Sequence, residues 1–152
     1  MSTERSEKRK QDSFLDAQIQ TVVDYLEDEC NIAVEFGGKI NAFYYDDELI
    51  TISNKQSLVS KLFTLLHEAG HYLLREECDR FPVRSGKRET KDYRIMVLRE
   101  EFLAWDRGLE LADSLNIEVD PVAWRKIAHK HLYDYICWAK SPTEFRRKHV
   151  RK

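Results

Sequence analysis

Apolar residues recur along this chain with two different periods. From Phe14 to Cys30 the positions Phe14, Leu15, Ile19, Val22, Val23 and Leu26 follow helical spacing and predict a helix that lays one stripe on a core. Asp12 or Ser13 is its candidate N-cap. The period then shortens. IAVEF (32–36) and KINAFYY (39–45) are strand-forming runs separated by Gly37-Gly38, a hairpin signal, and Asp46-Asp47-Glu48 forms a second turn before LITIS (49–53). Parallel strands need long crossovers, so three short strands joined by tight turns predict an antiparallel meander.

Helical spacing returns at Leu58 and persists to Cys78. Leu58, Val59, Leu62, Phe63, Leu65, Leu66, Ala69, Leu73 and Leu74 give a face broad enough for a central, buried helix. Residues 79–90, with Pro82 and Gly86, read as a loop. A third helix is predicted from about Lys91 to Leu115, carrying Ile95, Leu98, Phe102, Leu109 and Ala112. Asp120-Pro121 supplies an N-cap and a first-turn proline for a fourth helix to about Lys140. Ser141-Pro142-Thr143-Glu144 repeats that logic with a capping box, so a short basic helix follows. The fold class expected is α+β: a small three-stranded antiparallel sheet packed with a helical core of four to five helices. Residues 1–13 mix both charge signs without an apolar period and read as a flexible charged tail; 14–152 read as a single domain.

Composition narrows the picture. A length of 152 residues allows one sizeable core and not two. The formal net charge of −2 gives no bulk attraction to nucleic acid. No apolar run approaches the ~18 residues of a membrane span, and the opening MSTERSEKRKQDS is polar, so neither a secretory signal nor a membrane anchor is expected. Cys30, Cys78 and Cys137 are odd in number and form no C-x-x-C pair. They read as reduced thiols, and a cytoplasmic location is expected.

The chemistry sits in the second helix, which reads His67-Glu68-Ala69-Gly70-His71. Histidines at i and i+4 project from one face, so both imidazoles can reach one metal ion. Glu68 directly follows the first ligand, which points it beside the metal, where a carboxylate can act as general base toward an attacking water. H-E-x-x-H arises by chance in a chain of this length roughly once in a few hundred sequences. Two histidines and a glutamate in the middle of an apolar helix would also be costly to bury without partners. Catalytic zinc takes three protein ligands and keeps one position open. The candidates for the third are Glu100 and Glu101, whose helical neighbours leave them almost equally buried. A peptidase further needs a donor for the developing oxyanion. His129, His131, Tyr133, Tyr44 and Tyr45 qualify by type, and His131 is the first to test because Ile127, Ala128, Leu132 and Tyr135 surround it on the helix.

The ITISN strand, the SKLFTLLHEAGHYLL stretch and a later glutamate three residues before an alanine resemble the ImmA/IrrE-like zinc metallopeptidases of bacteria and their mobile elements. The likeness covers roughly residues 32–108. It implies a zincin-like core, a Zn²⁺ cofactor, and a third ligand in an E-x-x-A pattern that falls on Glu101 with Ala104. Regulators of that family act on repressor proteins, so the resemblance implies a protein substrate, a DNA-binding repressor among the candidates. The chain departs from the family in its Ala-Trp-x-x-Gly continuation, with Trp105, Arg107 and Gly108. The function expected is a zinc-dependent metallo-endopeptidase with ligands His67, His71 and Glu101 and catalytic residues Glu68 and His131. Two other classes are weighed beside it: a metal-binding regulatory or interaction protein without turnover, and a nucleic-acid-associated factor using the basic cluster Arg146, Arg147, Lys148, His149, Arg151 and Lys152.

Overall fold

The structure, a computed structural model, describes residues 2–77 and 90–150, the side chains of residues 2 and 147–150 excepted. The expected loop lies outside these residues apart from Thr90, as does Cys78. Helix α1 spans Ser2–Asp24 and continues as a π-helical turn, Tyr25–Glu29. The charged segment expected as a flexible tail is therefore helical from Ser2 onward. It contains no glycine or proline, consists largely of Glu, Lys, Arg and Gln, and sets Glu4 and Lys8 at the favourable i,i+4 spacing, so helix propensity suffices without an apolar stripe. Asn31 ends the element in the left-handed region (φ +55°), and the Ile32 N–H donates back to the Leu26 carbonyl at 2.8 Å.

Three strands follow: β1 (Ala33–Gly38), β2 (Ala42–Tyr44) and β3 (Leu49–Ser53). Their order is β1-β3-β2, with β1 parallel to β3 and β2 antiparallel to it. The sheet is mixed, which corrects the expected antiparallel meander. Gly37-Gly38 does not close a hairpin. Instead the chain crosses the end of β3, where the Asn41 carboxamide oxygen accepts from the Ser53 N–H at 2.8 Å, and runs back along the far side. The whole of β2 with its flanking turns serves as the crossover between the parallel strands, long enough to span one strand width. Buried Ile50 and Ile52 make β3 the central strand.

Helix α2 (Leu58–Glu76) is capped by Ser57, whose side chain accepts from the Ser60 N–H. It buries Leu62, Phe63, Leu65, Leu66 and Ala69 in one cluster with Val22 and Leu26 of the first helical segment and the sheet isoleucines. Helix α3 (Lys91–Ser114) starts at Thr90, and α4 (Pro121–Lys140) starts at Asp120, whose carboxylate accepts from the Val122 N–H at 3.1 Å. The basic terminal helix is present as α5 (Pro142–Val150).

The α2–α3 crossing positions the chemistry. A Cβ on Gly70 would collide with the Ala104 carbonyl, and one on Gly108 would lie 2.5 Å from the Leu66 carbonyl oxygen. The two backbones touch at reciprocal glycines. Only that approach lets short side chains on facing turns meet.

Candidate metal centre

One turn of α2 and one turn of α3 face each other across this contact. His67 and His71 share a face of α2, and their Nε2 atoms lie 3.2 Å apart. The Glu101 carboxylate enters from α3, with Oε2 3.1 Å from His67 Nε2 and Oε1 3.2 Å from His71 Nε2. All three residues are buried, His67 and Glu101 at 2% exposure each. They form a His-His-Glu group able to hold a metal ion. The donor spacing fits the assignment. Tetrahedral zinc with bonds of about 2.0 Å separates its ligand atoms by about 3.3 Å. Two imidazole nitrogens and a carboxylate within 3.2 Å of one another present lone pairs that one cation can take together.

The position of Glu100 separates it from Glu101. Its Oε1 lies 3.0 Å from Nδ1 of His71, on the side of the ring away from the group, and 3.9 Å from Arg75 Nε. A carboxylate there holds His71 in the tautomer that presents the Nε2 lone pair inward. Consecutive residues on α3 thus take different parts: Glu101 reaches both imidazoles and Glu100 orients one of them. Their apolar neighbours along the helix carried no such distinction, because it depends on the direction from which α2 approaches.

The electrostatics of the metal-free pocket are strongly polarised. Burial pulls the His67 pKa down to about 4, against the pull of Glu101. Burial would lower that of His71 as well, yet its hydrogen bonds to Glu100 and Glu101 push it up to about 10. Burial would raise Glu101, but His131, His67 and His71 hold it well below the usual carboxylate range. Without a metal the pocket therefore stores one proton on His71 between two carboxylates, in the place a divalent cation would take.

Glu68 lies beside this group rather than in it, its Oε1 4.0 Å from His67 Nε2. His131 arrives from α4, its Nε2 3.1 Å from Glu101 Oε2 and its ring 4.9 Å from that of His67. Both line a cavity of about 160 Å³ together with Asn41, Ala42 and Phe43 of the β2 segment. His129, Tyr133, Tyr44 and Tyr45, the other oxyanion candidates, are exposed and do not line it. Tyr135, one turn beyond His131, does.

Sequence reasoning assigned no part to Trp105. Its indole stacks on His67, centroids 4.3 Å apart and 19° between planes, and meets Trp124 edge-on at 5.2 Å. It fixes the ring plane of His67, whose Nδ1 is buried with no hydrogen-bond partner among the described residues. One signal pointed to it: Trp105 follows Glu101 by one helical turn and so shares its face.

The family model for the M78 peptidases, described as the IrrE N-terminal-like domain, matches residues 35–111, just over half of the 152-residue chain. No curated protein and no solved structure matches. The matched segment runs from β1 to the last turn of α3 and includes both imidazoles, Glu68, both candidate carboxylates and the two touching glycines. The group able to hold a metal thus lies within the matched segment, and the chain belongs to the IrrE N-terminal-like family of M78 peptidases.

Proposed function

We propose that this protein is a zinc-dependent metallo-endopeptidase, with the metal on His67, His71 and Glu101. The observation that carries the reading is the convergence of the Glu101 carboxylate, within 3.2 Å, on both imidazoles, with Glu68 alongside and outside the donor set. Two imidazoles and one carboxylate are a zinc donor set that keeps a fourth position free. Zinc in this place would polarise the scissile carbonyl and lower the pKa of water to about 7.

The chain's own residues supply the rest. Glu68 accepts a proton from the attacking water and delivers it to the leaving amine nitrogen. His131 Nε2, which meets Glu101 Oε2 at 3.1 Å in the metal-free site, would exchange that partner for the carbonyl oxygen and donate to it as negative charge grows there. Among the described residues edge strand β2 pairs only with β3, which leaves its outer edge to an extended peptide, and Asn41, Ala42 and Phe43 lead that peptide into the cavity. The substrate is a protein in the cytoplasm, and the family likeness makes a DNA-binding repressor the first candidate.

New protein termini in cells expressing wild type or Glu68→Gln test this reading. Termini that appear with wild type and vanish with Glu68→Gln support it. Equal termini with both would overturn it and leave a metal-binding regulator without turnover.

A further inference from the structure

Beside the metal cavity lies a second, larger hollow of about 440 Å³, and the two share His131 and Tyr135 as a common wall. Tyr93 and Val97 of α3, Trp138 of α4 and Phe145 of α5 line the rest, with Asp134 at the exposed rim. Its volume falls within the ~300–1,000 Å³ of ordinary ligand sites. The aromatic walls are half-buried rather than exposed, and Tyr135 and Trp138 stand edge to face at 6.2 Å and 81°, which keeps the hollow open instead of collapsed. Five of its seven lining residues lie beyond the segment that the family model matches, so α4 and α5 build something onto the shared metal-site framework.

We propose that this hollow is a specificity pocket that takes a bulky apolar side chain, aromatic or long aliphatic, of the residue next to the cleaved peptide bond. The inference rests on the peptidase reading and adds the substrate class. Continuity fixes the occupant. A peptide whose carbonyl lies in the metal cavity against His131 has its adjoining side chain at the shared wall, and behind that wall the described lining is mostly aromatic and aliphatic, from Tyr93, Val97, Tyr135, Trp138 and Phe145. The Asp134 carboxylate at the mouth disfavours an acidic residue by like charge. Removing one large apolar side chain from water corresponds to roughly a ten- to hundredfold preference in kcat/KM.

The test is digestion of a randomised peptide mixture by the zinc-loaded full chain, with product termini read by mass spectrometry. Enrichment of Phe, Tyr, Trp, Leu or Met by roughly ten- to hundredfold at one fixed position beside the cut is expected. Val97→Trp, which fills the hollow, should remove most of that enrichment while the mixture is still cut at other residues. Trp138→Ala should weaken it and Trp138→Phe restore it. Glu68-dependent cleavage without such enrichment, enrichment for Lys or Arg instead, or enrichment untouched by Val97→Trp would each overturn the proposal. Absence of any Glu68-dependent cleavage sinks the peptidase reading, and a second arm then judges the pocket alone. In that arm zinc-loaded Glu68→Gln is titrated with short peptides differing only in one central residue, Leu, Lys or Asp, and Trp138 fluorescence is followed against a Trp138→Phe control. Selective binding of the leucine peptide supports the pocket. Equal or absent binding of all three overturns it.

Discussion

At the residue scale, the site separates three carboxylates by direction rather than by type. Glu101 faces both Nε2 atoms, Glu100 faces the outer nitrogen of His71, and Glu68 stands beside the pair. Replacing Glu100 by Gln keeps the size and removes the charge that orients His71. Zinc affinity should fall about 10- to 100-fold, read by competition with a chromophoric chelator, with the far-ultraviolet circular dichroism unchanged. An unchanged affinity would assign Glu100 to the Arg75 contact alone. His131→Gln should retain zinc and lose about 10²-fold in kcat with a small change in KM, because an oxyanion donor acts mainly in the transition state. Loss of the metal instead would make His131 a ligand. The imidazole pair and the carboxylate beside it were legible in the sequence because i,i+4 spacing on one helix fixes their relation. Periodicity left the choice between adjacent glutamates open, and it was the E-x-x-A resemblance that pointed to Glu101; the stacking of Trp105 was not legible, since it depends on which face of α3 meets α2.

At the element scale, the glycines at the α2–α3 crossing set how closely the two helices approach. Gly108→Ala places a methyl group against the Leu66 carbonyl. It should cost about 1–3 kcal/mol in a denaturant titration and weaken zinc binding as well, because the crossing carries Glu101 toward the imidazoles. Gly38→Ala, whose added methyl meets neighbours only at ordinary contact distance (3.8 Å), is the control expected to leave zinc binding intact. All five helices among the described residues followed from periodicity and caps, α1 only from Phe14 onward, because those signals are local. The sheet order did not. Pairing of β1 with β3 is non-local, and the Gly37-Gly38 signal was outweighed by burial of Ile50 and Ile52 on a central strand. The first three turns of α1 were missed for the opposite reason: a helix that rests on propensity and charge spacing has no apolar period to find.

At the scale of the whole molecule, the buried polar group ties folding to pH. His67 has a folded-state pKa of about 4 against 6.5 in the unfolded chain, so stability is lost as pH falls through that interval. Glu101, depressed below its ordinary 4.5, adds to the loss at still lower pH. His71 works in the other sense. With a folded pKa of about 10, its contribution is complete below 6.5 and disappears as pH rises toward 10. The metal-free protein should therefore be most stable near pH 6.5, with melting temperature falling on both sides when measured in the presence of a chelator. Zinc takes the place of the His71 proton, so the zinc-loaded protein should lose the alkaline decline between about pH 7 and 9. A metal-free melting temperature that keeps rising to pH 9 would contradict the proton-storing pocket.

Helix packing, donor set and pocket chemistry all lead back to one cation between α2 and α3. Zinc K-edge X-ray absorption on the protein loaded with one equivalent examines that directly. Two imidazole nitrogens, one carboxylate oxygen and one further light atom at about 2.0–2.1 Å are expected, with the carboxylate shell lost in Glu101→Gln. Sulfur in the zinc shell, or a third imidazole completing it, would contradict the account.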